Sequence, residues 1–162
     1  MTRGDCVFCK IIARQERGHF ICEDDLASAL LTIGPVTPGH LMVIPNRHAE
    51  TLADLTDEEN TAIFRMGRRL AEVLRRSGLR CEGINYFVAD GEAAFQEVFH
   101  FHLHVFPRFR GDPFKIDANW DDKPTDEELA IVATKNPRGV VTQVTSGIRW
   151  AQPAKCRKWV RR

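Results

Sequence analysis

The chain lacks any run of about 20 consecutive apolar residues, the length that a membrane-spanning helix requires. Residues 1–6 also lack the apolar core of a secretory signal peptide. Of the 162 residues, 43% are hydrophobic and 28% are charged, which is typical of a globular domain and argues against a disordered or fibrous chain. We therefore expect a cytoplasmic protein with no membrane partner.

The sequence has too few cysteines, at spacings too irregular, for a disulfide framework. The count of five is odd, and a cytoplasmic protein keeps its thiols reduced. Three of them are predicted to be separate free thiols: Cys22, Cys81 and Cys156. Cys6 and Cys9 form a C-x-x-C pair, which suits either metal chelation or redox chemistry.

Acidic residues are absent from 138–162, which contains seven basic residues. The preceding 137 residues hold 16 basic and 22 acidic residues, a net charge of −6. We predict a catalytic or binding domain over 1–137 and a basic tail over 138–162. The tail is interpreted as a solvated segment, although nucleic acid or an acidic neighbour could bind it. Because basic and acidic residues are nearly equal in number over the whole chain, we predict no dedicated nucleic-acid partner.

No glycine-rich phosphate loop of a common type is present. Apolar segments bounded by turn residues predict strands over 27–33, 40–45 and 83–89, and strict alternation predicts another over 98–106. Strands joined by short connections around few helices indicate an α+β domain with a mainly antiparallel sheet.

Two capping patterns of the form Thr-x-x-Glu predict the helices. The pair Thr56 and Glu59 precedes a long apolar series at helical spacing, which indicates one long helix. The pair Thr125 and Glu128 opens a short C-terminal helix that should end near the Asn-Pro pair at 136–137.

The most informative segment is a strand with alternating histidines. His100, His102 and His104 should share one face of the strand over 98–106, with their Cα atoms roughly 6.6 Å apart in sequence order. Three histidines spread over roughly 13 Å cannot readily bind one ion. The residues leave three interpretations open: a polar sheet face, a metal site completed by the C-x-x-C pair, or a division between a metal ligand and a nucleophile.

Several motifs, in order, resemble the histidine triad (HIT) superfamily of nucleotide hydrolases and transferases. They are the triad His100–His104 with Val105-Phe106 and Pro107-Arg108, the Gly39-His40 to Pro45 segment with His48, and the Gly91 to Val98 loop. The similarity covers residues 6–114, roughly two thirds of the chain.

The resemblance implies a homodimer of α+β protomers, each with a HIT-like five-stranded antiparallel sheet. It implies that His102 attacks the α-phosphorus and forms a nucleotidyl-histidine intermediate. His104 and His40 match positions that orient His102 and the phosphate, and Gln96 matches one that bonds near the leaving-group oxygen.

For the nucleotide, expected to be a purine nucleotide, the resemblance implies contacts from Asn85 and apolar contacts to the base from Ile33 and Phe8. For a metal, it implies a structural zinc ion. The four zinc ligands would be Cys6, Cys9, His48 and His100.

Three residues depart from the family's pattern. Thr32 stands where an acidic residue often binds the ribose, and Phe95 replaces a glycine, which should narrow the phosphate loop. Glu97 stands where Ser or Thr is common. A carboxylate beside phosphate would repel it, so we expect Glu97 to point away.

The motifs leave the reaction open among several nucleotide chemistries. Asp90-Gly91 and the segment 107–114 resemble hydrolases of dinucleoside polyphosphates, whereas the cysteine pair with His48 resembles bacterial zinc-containing members. Hydrolysis of nucleoside phosphoramidates at the P–N bond and phosphorolysis of polyphosphates are the enzymatic alternatives. A zinc-stabilised nucleotide-binding module is the non-enzymatic one.

Overall fold

Five strands form one sheet in the computed structural model, which describes residues 4–135. The strands are β1 (Phe20–Glu23), β2 (Ala27–Leu31), β3 (Leu41–Pro45), β4 (Gly83–Phe87) and β5 (Leu103–Arg108). Their order across the sheet is β1-β2-β3-β5-β4, and every neighbouring pair is antiparallel. The α+β class and the five-stranded antiparallel sheet are confirmed.

Residues 4–135 contain three α-helices: α1 (Val7–Ile12), α2 (Asp57–Arg76) and α3 (Asp126–Lys135). Thr56 and Glu59 form the predicted capping box at the start of α2. Thr125 and Glu128 exchange the corresponding hydrogen bonds before α3. The long helix and the short C-terminal helix are therefore confirmed, whereas α1 was not predicted.

The chain divides into one compact unit that ends at Ile116 and a second that begins at Asp117. The predicted basic tail over 138–162, Cys156 and the predicted helix end at 136–137 lie outside the described residues. The domain boundary at residue 137 therefore stays a prediction. Within 4–135, no helix combines the length and the apolar character needed to cross a membrane.

Helix α2 packs against one face of the sheet through a buried apolar cluster. A Cβ atom at Gly67 would lie 3.0 Å from a methyl carbon of Leu103, so glycine lets α2 approach β5 closely. The opposite face carries a second buried cluster that includes Phe8 and Ile11 of α1. Helix α1 therefore covers the face of the sheet toward which the histidines project.

The predicted strand over 98–106 is shorter in the structure, since β5 begins only at Leu103. The preceding backbone turns instead: the His100 amide donates to the Val98 carbonyl, and the Phe101 amide donates to the Ala49 carbonyl. The pairing with β3 stops at Val43 and Leu103. Two residues further along β3, the same register would place Pro45 opposite Phe101, and proline has no N–H to donate. The alternation still holds in the burial, because Phe101 and Leu103 both lie in the α2-facing core.

Candidate active site and metal-binding cluster

Three imidazole rings lie side by side where β3 and β5 pair. Met42 of β3 lies opposite His104 of β5, and His40 precedes β3. The ring centroids of His102 and His104 are 4.8 Å apart. His40 Nε2 lies 2.9 Å from His104 Nδ1. The sheet register thus brings together three residues that are up to 64 positions apart in the chain.

Hydrogen bonds to the backbone determine where the protons of two of these rings reside. The Val36 amide donates to His40 Nδ1 over 3.1 Å, so this nitrogen is an acceptor and the proton of a neutral His40 is on Nε2. His40 Nε2–H then donates to His104 Nδ1, which leaves the proton of a neutral His104 on its own Nε2. The pair therefore offers a donor at His104 Nε2.

His102 has the opposite tautomer. Its Nδ1 lies 2.8 Å from the His100 carbonyl oxygen, which can only accept, so Nδ1 carries the proton. The Nε2 atom of a neutral His102 therefore has a free lone pair. A lone pair beside a donor nitrogen is the arrangement that a nucleophilic imidazole needs.

Burial keeps these rings neutral. Desolvation lowers the pKa of His40 to about 4 and, with the nearby rings of His102 and His40, lowers the pKa of His104 to about 3. Desolvation also lowers the pKa of His102, partly offset by its hydrogen bond to the His100 carbonyl and by the negative charge of Glu97. At neutral pH, His40, His102 and His104 are therefore neutral. The protons of His40 and His104 are on Nε2, and the proton of His102 is on Nδ1.

The three rings line a cavity of about 510 Å³. Phe8 and Ile33, the two residues expected to flank a base, line the same cavity. The Phe8 ring is buried with its centroid 5.5 Å from that of His102, whereas Ile33 is 98% exposed and so offers its whole surface to a ligand. Thr32 also lines the cavity.

Two expected site residues do not line this cavity. Gln96 is buried, and its Nε2 donates to the carbonyls of Glu50 and Val98 while its Oε1 accepts from the Gly91 amide. Its side chain therefore holds the loop before the triad in place. Asn85 lies on β4 opposite Phe106. Contacts of Gln96 and Asn85 with a nucleotide stay predictions.

Four residues form a cluster with the ligand chemistry of zinc: Cys6, Cys9, His48 and His100. Their ligand atoms all lie within 4.8 Å of one another. His100 Nδ1 lies 3.3 Å from Cys6 Sγ and 3.6 Å from Cys9 Sγ, and His48 Nδ1 lies 3.4 Å from Cys9 Sγ. Sulfur and nitrogen ligands of one tetrahedral zinc ion are about 3.6 Å apart, so the cluster fits this metal.

The tautomer of His100 also suits metal binding. Its Nε2 lies 3.0 Å from the Pro45 carbonyl oxygen and must donate, which leaves the Nδ1 lone pair facing the two sulfur atoms. Because Cys6 and Cys9 belong to the start of α1, an ion here would join that helix to the segment before β5.

Two residues that depart from the family's pattern, Phe95 and Glu97, belong to the cavity wall. Phe95 is 84% exposed and has a backbone φ of 68°, the left-handed region that side chains with a Cβ disfavour. Glu97 also lines the cavity, and its negative charge raises the pKa of His102. The expectation that its carboxylate points away from the phosphate stays a prediction. In the sequence, only their departure from the family's pattern marked these two residues as unusual. No sequence motif predicted that the Val36 amide would orient His40.

Comparisons with known proteins identify the family of the chain. A family model described as the HIT domain matches residues 13–111. The chain belongs to the HIT family. An uncharacterized HIT-like protein of Borreliella burgdorferi is 42% identical over 111 residues, covering 68% of this chain and 80% of the relative. The Protein hit of Bacillus subtilis is 39% identical over 127 residues, covering 75% and 86%.

Solved HIT structures are also similar. A Zn-bound histidine triad family protein from Mycobacterium smegmatis has a TM-score of 0.67 at 37% identity, covering 83% of this chain and 99% of that one. A histidine triad nucleotide-binding protein from Candida albicans has a TM-score of 0.73 at 26% identity, covering 86% and 99%. The family and its fold are thereby shown.

The strained backbone at Phe95 generates one prediction. Phe95→Gly should raise the free energy of unfolding by about 1 kcal/mol, because glycine adopts a positive φ without steric cost and the exposed ring makes little packing to lose. Phe95→Ala is the matched control: it removes the ring but keeps the Cβ atom, so it should give no such gain. Urea unfolding monitored by circular dichroism measures both. An equal gain in the free energy of unfolding in the two variants would show that the backbone at Phe95 is not strained.

The buried rings generate a second prediction. The histidines of the unfolded chain protonate near pH 6.5, but His40 and His104 resist protonation until about pH 4 and about pH 3 in the folded protein. The unfolded state therefore binds more protons, and the free energy of unfolding should fall as the pH decreases from about 6.5 toward 4. His104→Gln should flatten this decline, as measured by urea unfolding across that range.

The exposed His19 supplies the control for this pH dependence. His19→Gln should leave the slope of unfolding free energy against pH unchanged. An identical slope in wild type and His104→Gln would show that His104 is not held neutral by the fold.

Proposed function

We propose that this HIT protein is a nucleotide hydrolase or transferase that works through a nucleotidyl-histidine intermediate on His102. The observation that carries the proposal is the free lone pair of His102 Nε2 beside the His104 Nε2–H donor, in a cavity that also holds the apolar Phe8 and Ile33. The Candida albicans relative is named a nucleotide-binding protein, which supports a nucleotide ligand.

In the proposed first step, His102 Nε2 attacks the α-phosphorus of a purine nucleotide. A bond forms between phosphorus and nitrogen, and the bond to the leaving group breaks with its electron pair on the leaving atom. His102 then carries a proton on Nδ1 and phosphorus on Nε2, so the ring is positively charged. The His100 carbonyl, 2.8 Å from Nδ1, stabilises that charge.

His104 assists as a hydrogen-bond donor to a phosphoryl oxygen. It does not act as a general acid, because a neutral imidazole that lost its remaining proton would become an anion. In the second step, water attacks phosphorus, the bond to His102 breaks, and the nucleoside monophosphate is released. Phosphate in place of water would make the reaction a phosphorolysis.

The substrates that we propose are dinucleoside polyphosphates or related nucleotides, with nucleoside phosphoramidates as the alternative. The base would lie against Phe8 and Ile33, and Thr32 could form one hydrogen bond to the ribose. Asn85 and Gln96 are proposed to assist at the nucleotide and at the leaving group. The non-enzymatic alternative, a zinc-stabilised nucleotide-binding module, predicts binding without turnover.

We propose that Cys6, Cys9, His48 and His100 hold a structural zinc ion. Bound by four protein ligands, it would have no open position for water and would contribute stability instead of an activated nucleophile. The Phe8 ring contacts both His100 and His102, with centroid distances of 5.6 and 5.5 Å. The cluster would therefore position the nucleophile through α1.

We further propose a cytoplasmic homodimer without a nucleic-acid partner, with the catalytic domain over 1–137 and a solvated basic tail over 138–162. Strand β4 is at the edge of the sheet and carries the partly exposed Tyr86 and Phe87. An edge strand with exposed aromatic side chains is suited to a subunit contact.

Two variants separate the catalytic role from the structural one. Purified protein is incubated with diadenosine tetraphosphate or with adenosine 5′-phosphoramidate, and AMP is measured by chromatography. His102→Ala should lower AMP formation by at least about 10³-fold, because it removes the nucleophile, while zinc content and melting temperature stay near wild type. Cys6→Ala should lower zinc content and melting temperature first.

The outcomes distinguish the alternatives. Near-normal turnover by His102→Ala would contradict the role of His102 as the nucleophile. Nucleotide binding with no His102-dependent product from either substrate would favour the binding module. A wild-type protein that contains no zinc by elemental analysis after expression with zinc would contradict the metal site.

A further inference from the structure

One nitrogen in the cluster of Cys6, Cys9, His48 and His100 is buried without a hydrogen-bond partner. His48 Nδ1 lies 3.4 Å from Cys9 Sγ, so Nδ1 is the ring nitrogen that faces the cluster. His48 Nε2 is the one buried side-chain polar atom of residues 4–135 that makes no hydrogen bond. A neutral imidazole that binds a metal ion through Nδ1 keeps its proton on Nε2. A buried N–H group without an acceptor would destabilise that state.

A carboxylate lies beside this nitrogen. Glu50 Oε1 is 3.7 Å from His48 Nε2. The distance exceeds that of a hydrogen bond by less than about 1 Å, which a small rotation of the partly exposed Glu50 side chain can close. His100, the other histidine of the cluster, already donates from its Nε2 to the Pro45 carbonyl over 3.0 Å. Glu50 is thus placed to accept from His48 as that carbonyl accepts from His100.

The backbone that carries both side chains is held in place from the segment around the triad. The Ala49 carbonyl accepts from the Phe101 amide over 2.6 Å. The Glu50 carbonyl accepts from Nε2 of the buried Gln96 over 2.7 Å. Because these bonds fix the backbone between the ring and the carboxylate, only side-chain rotation is needed to bring His48 and Glu50 together.

We propose that Glu50 is a positioning residue for the metal site: its carboxylate accepts the Nε2 proton of His48 and holds Nδ1 toward the two cysteines. The inference rests on the proposed zinc site and goes beyond it, because Glu50 is not one of the four ligands. An accepting carboxylate selects the Nε2–H tautomer, keeps the ring from turning over and raises the basicity of the ligating nitrogen.

The test measures the zinc affinity of the full-length, zinc-loaded protein by competition with a chromophoric chelator of known affinity. Glu50→Ala removes the acceptor and should weaken zinc binding about 10-fold, the lower end of the usual effect of such partners, because Glu50 is partly exposed. Glu50→Gln keeps an oxygen that can accept from His48 and should stay within about threefold of wild type. Circular dichroism with saturating zinc checks that both variants are folded.

Glu72→Ala is the matched control, because Glu72 is an exposed glutamate that pairs with Arg68 on α2 and does not belong to the cluster. It should leave the zinc affinity unchanged. Wild-type affinity in Glu50→Ala, or an equal loss in Glu72→Ala, would overturn the inference. An equal loss in Glu50→Ala and Glu50→Gln would also overturn it, because negative charge alone would then explain the effect. All three results leave the zinc site intact, whereas a wild-type protein that binds no zinc would overturn the proposed site itself.

Discussion

The hydrogen bond from His40 Nε2 to His104 Nδ1 is the interaction on which the chemistry of the site depends. It continues a chain that begins at the Val36 amide and ends at a donor nitrogen on His104. The carbonyl of His100 sets the opposite tautomer on His102. Because the rings are buried and neutral, one cavity presents a nucleophilic lone pair and a hydrogen-bond donor side by side. The sheet register, which aligns β3 with β5, maintains both.

The metal-ligand cluster and the histidine triad are parts of one arrangement. His100 belongs to both: its ring faces the two cysteines, and its carbonyl holds the proton of His102. Phe8 packs against His100 and His102, so α1 connects the cluster to the cavity wall. A substitution in the metal-ligand cluster would therefore disturb the position of His102 through these contacts. Unfolding experiments would detect the loss of stability, and kinetics would detect the effect on His102.

Local patterns predicted much of this architecture. Capping boxes predicted the starts of α2 and α3, and alternation placed the histidines on one face, because both depend on side chains close in sequence. The start of β5 was missed because Pro45 on the partner strand ends the pairing. The hydrogen bonds of Gln96 had no local signal in the sequence, because they depend on how the loop before the triad meets distant backbone.

In the proposed mechanism, His102 becomes covalently bound to the nucleotide. Its most direct test is rapid quenching of the protein with a radiolabelled substrate under alkaline conditions, which preserve phosphorus–nitrogen bonds, followed by peptide mapping in a mass spectrometer. We expect a nucleoside monophosphate adduct on the peptide that contains His102, formed and consumed at rates compatible with turnover. An adduct on another residue, or turnover with no adduct at any time, would contradict it.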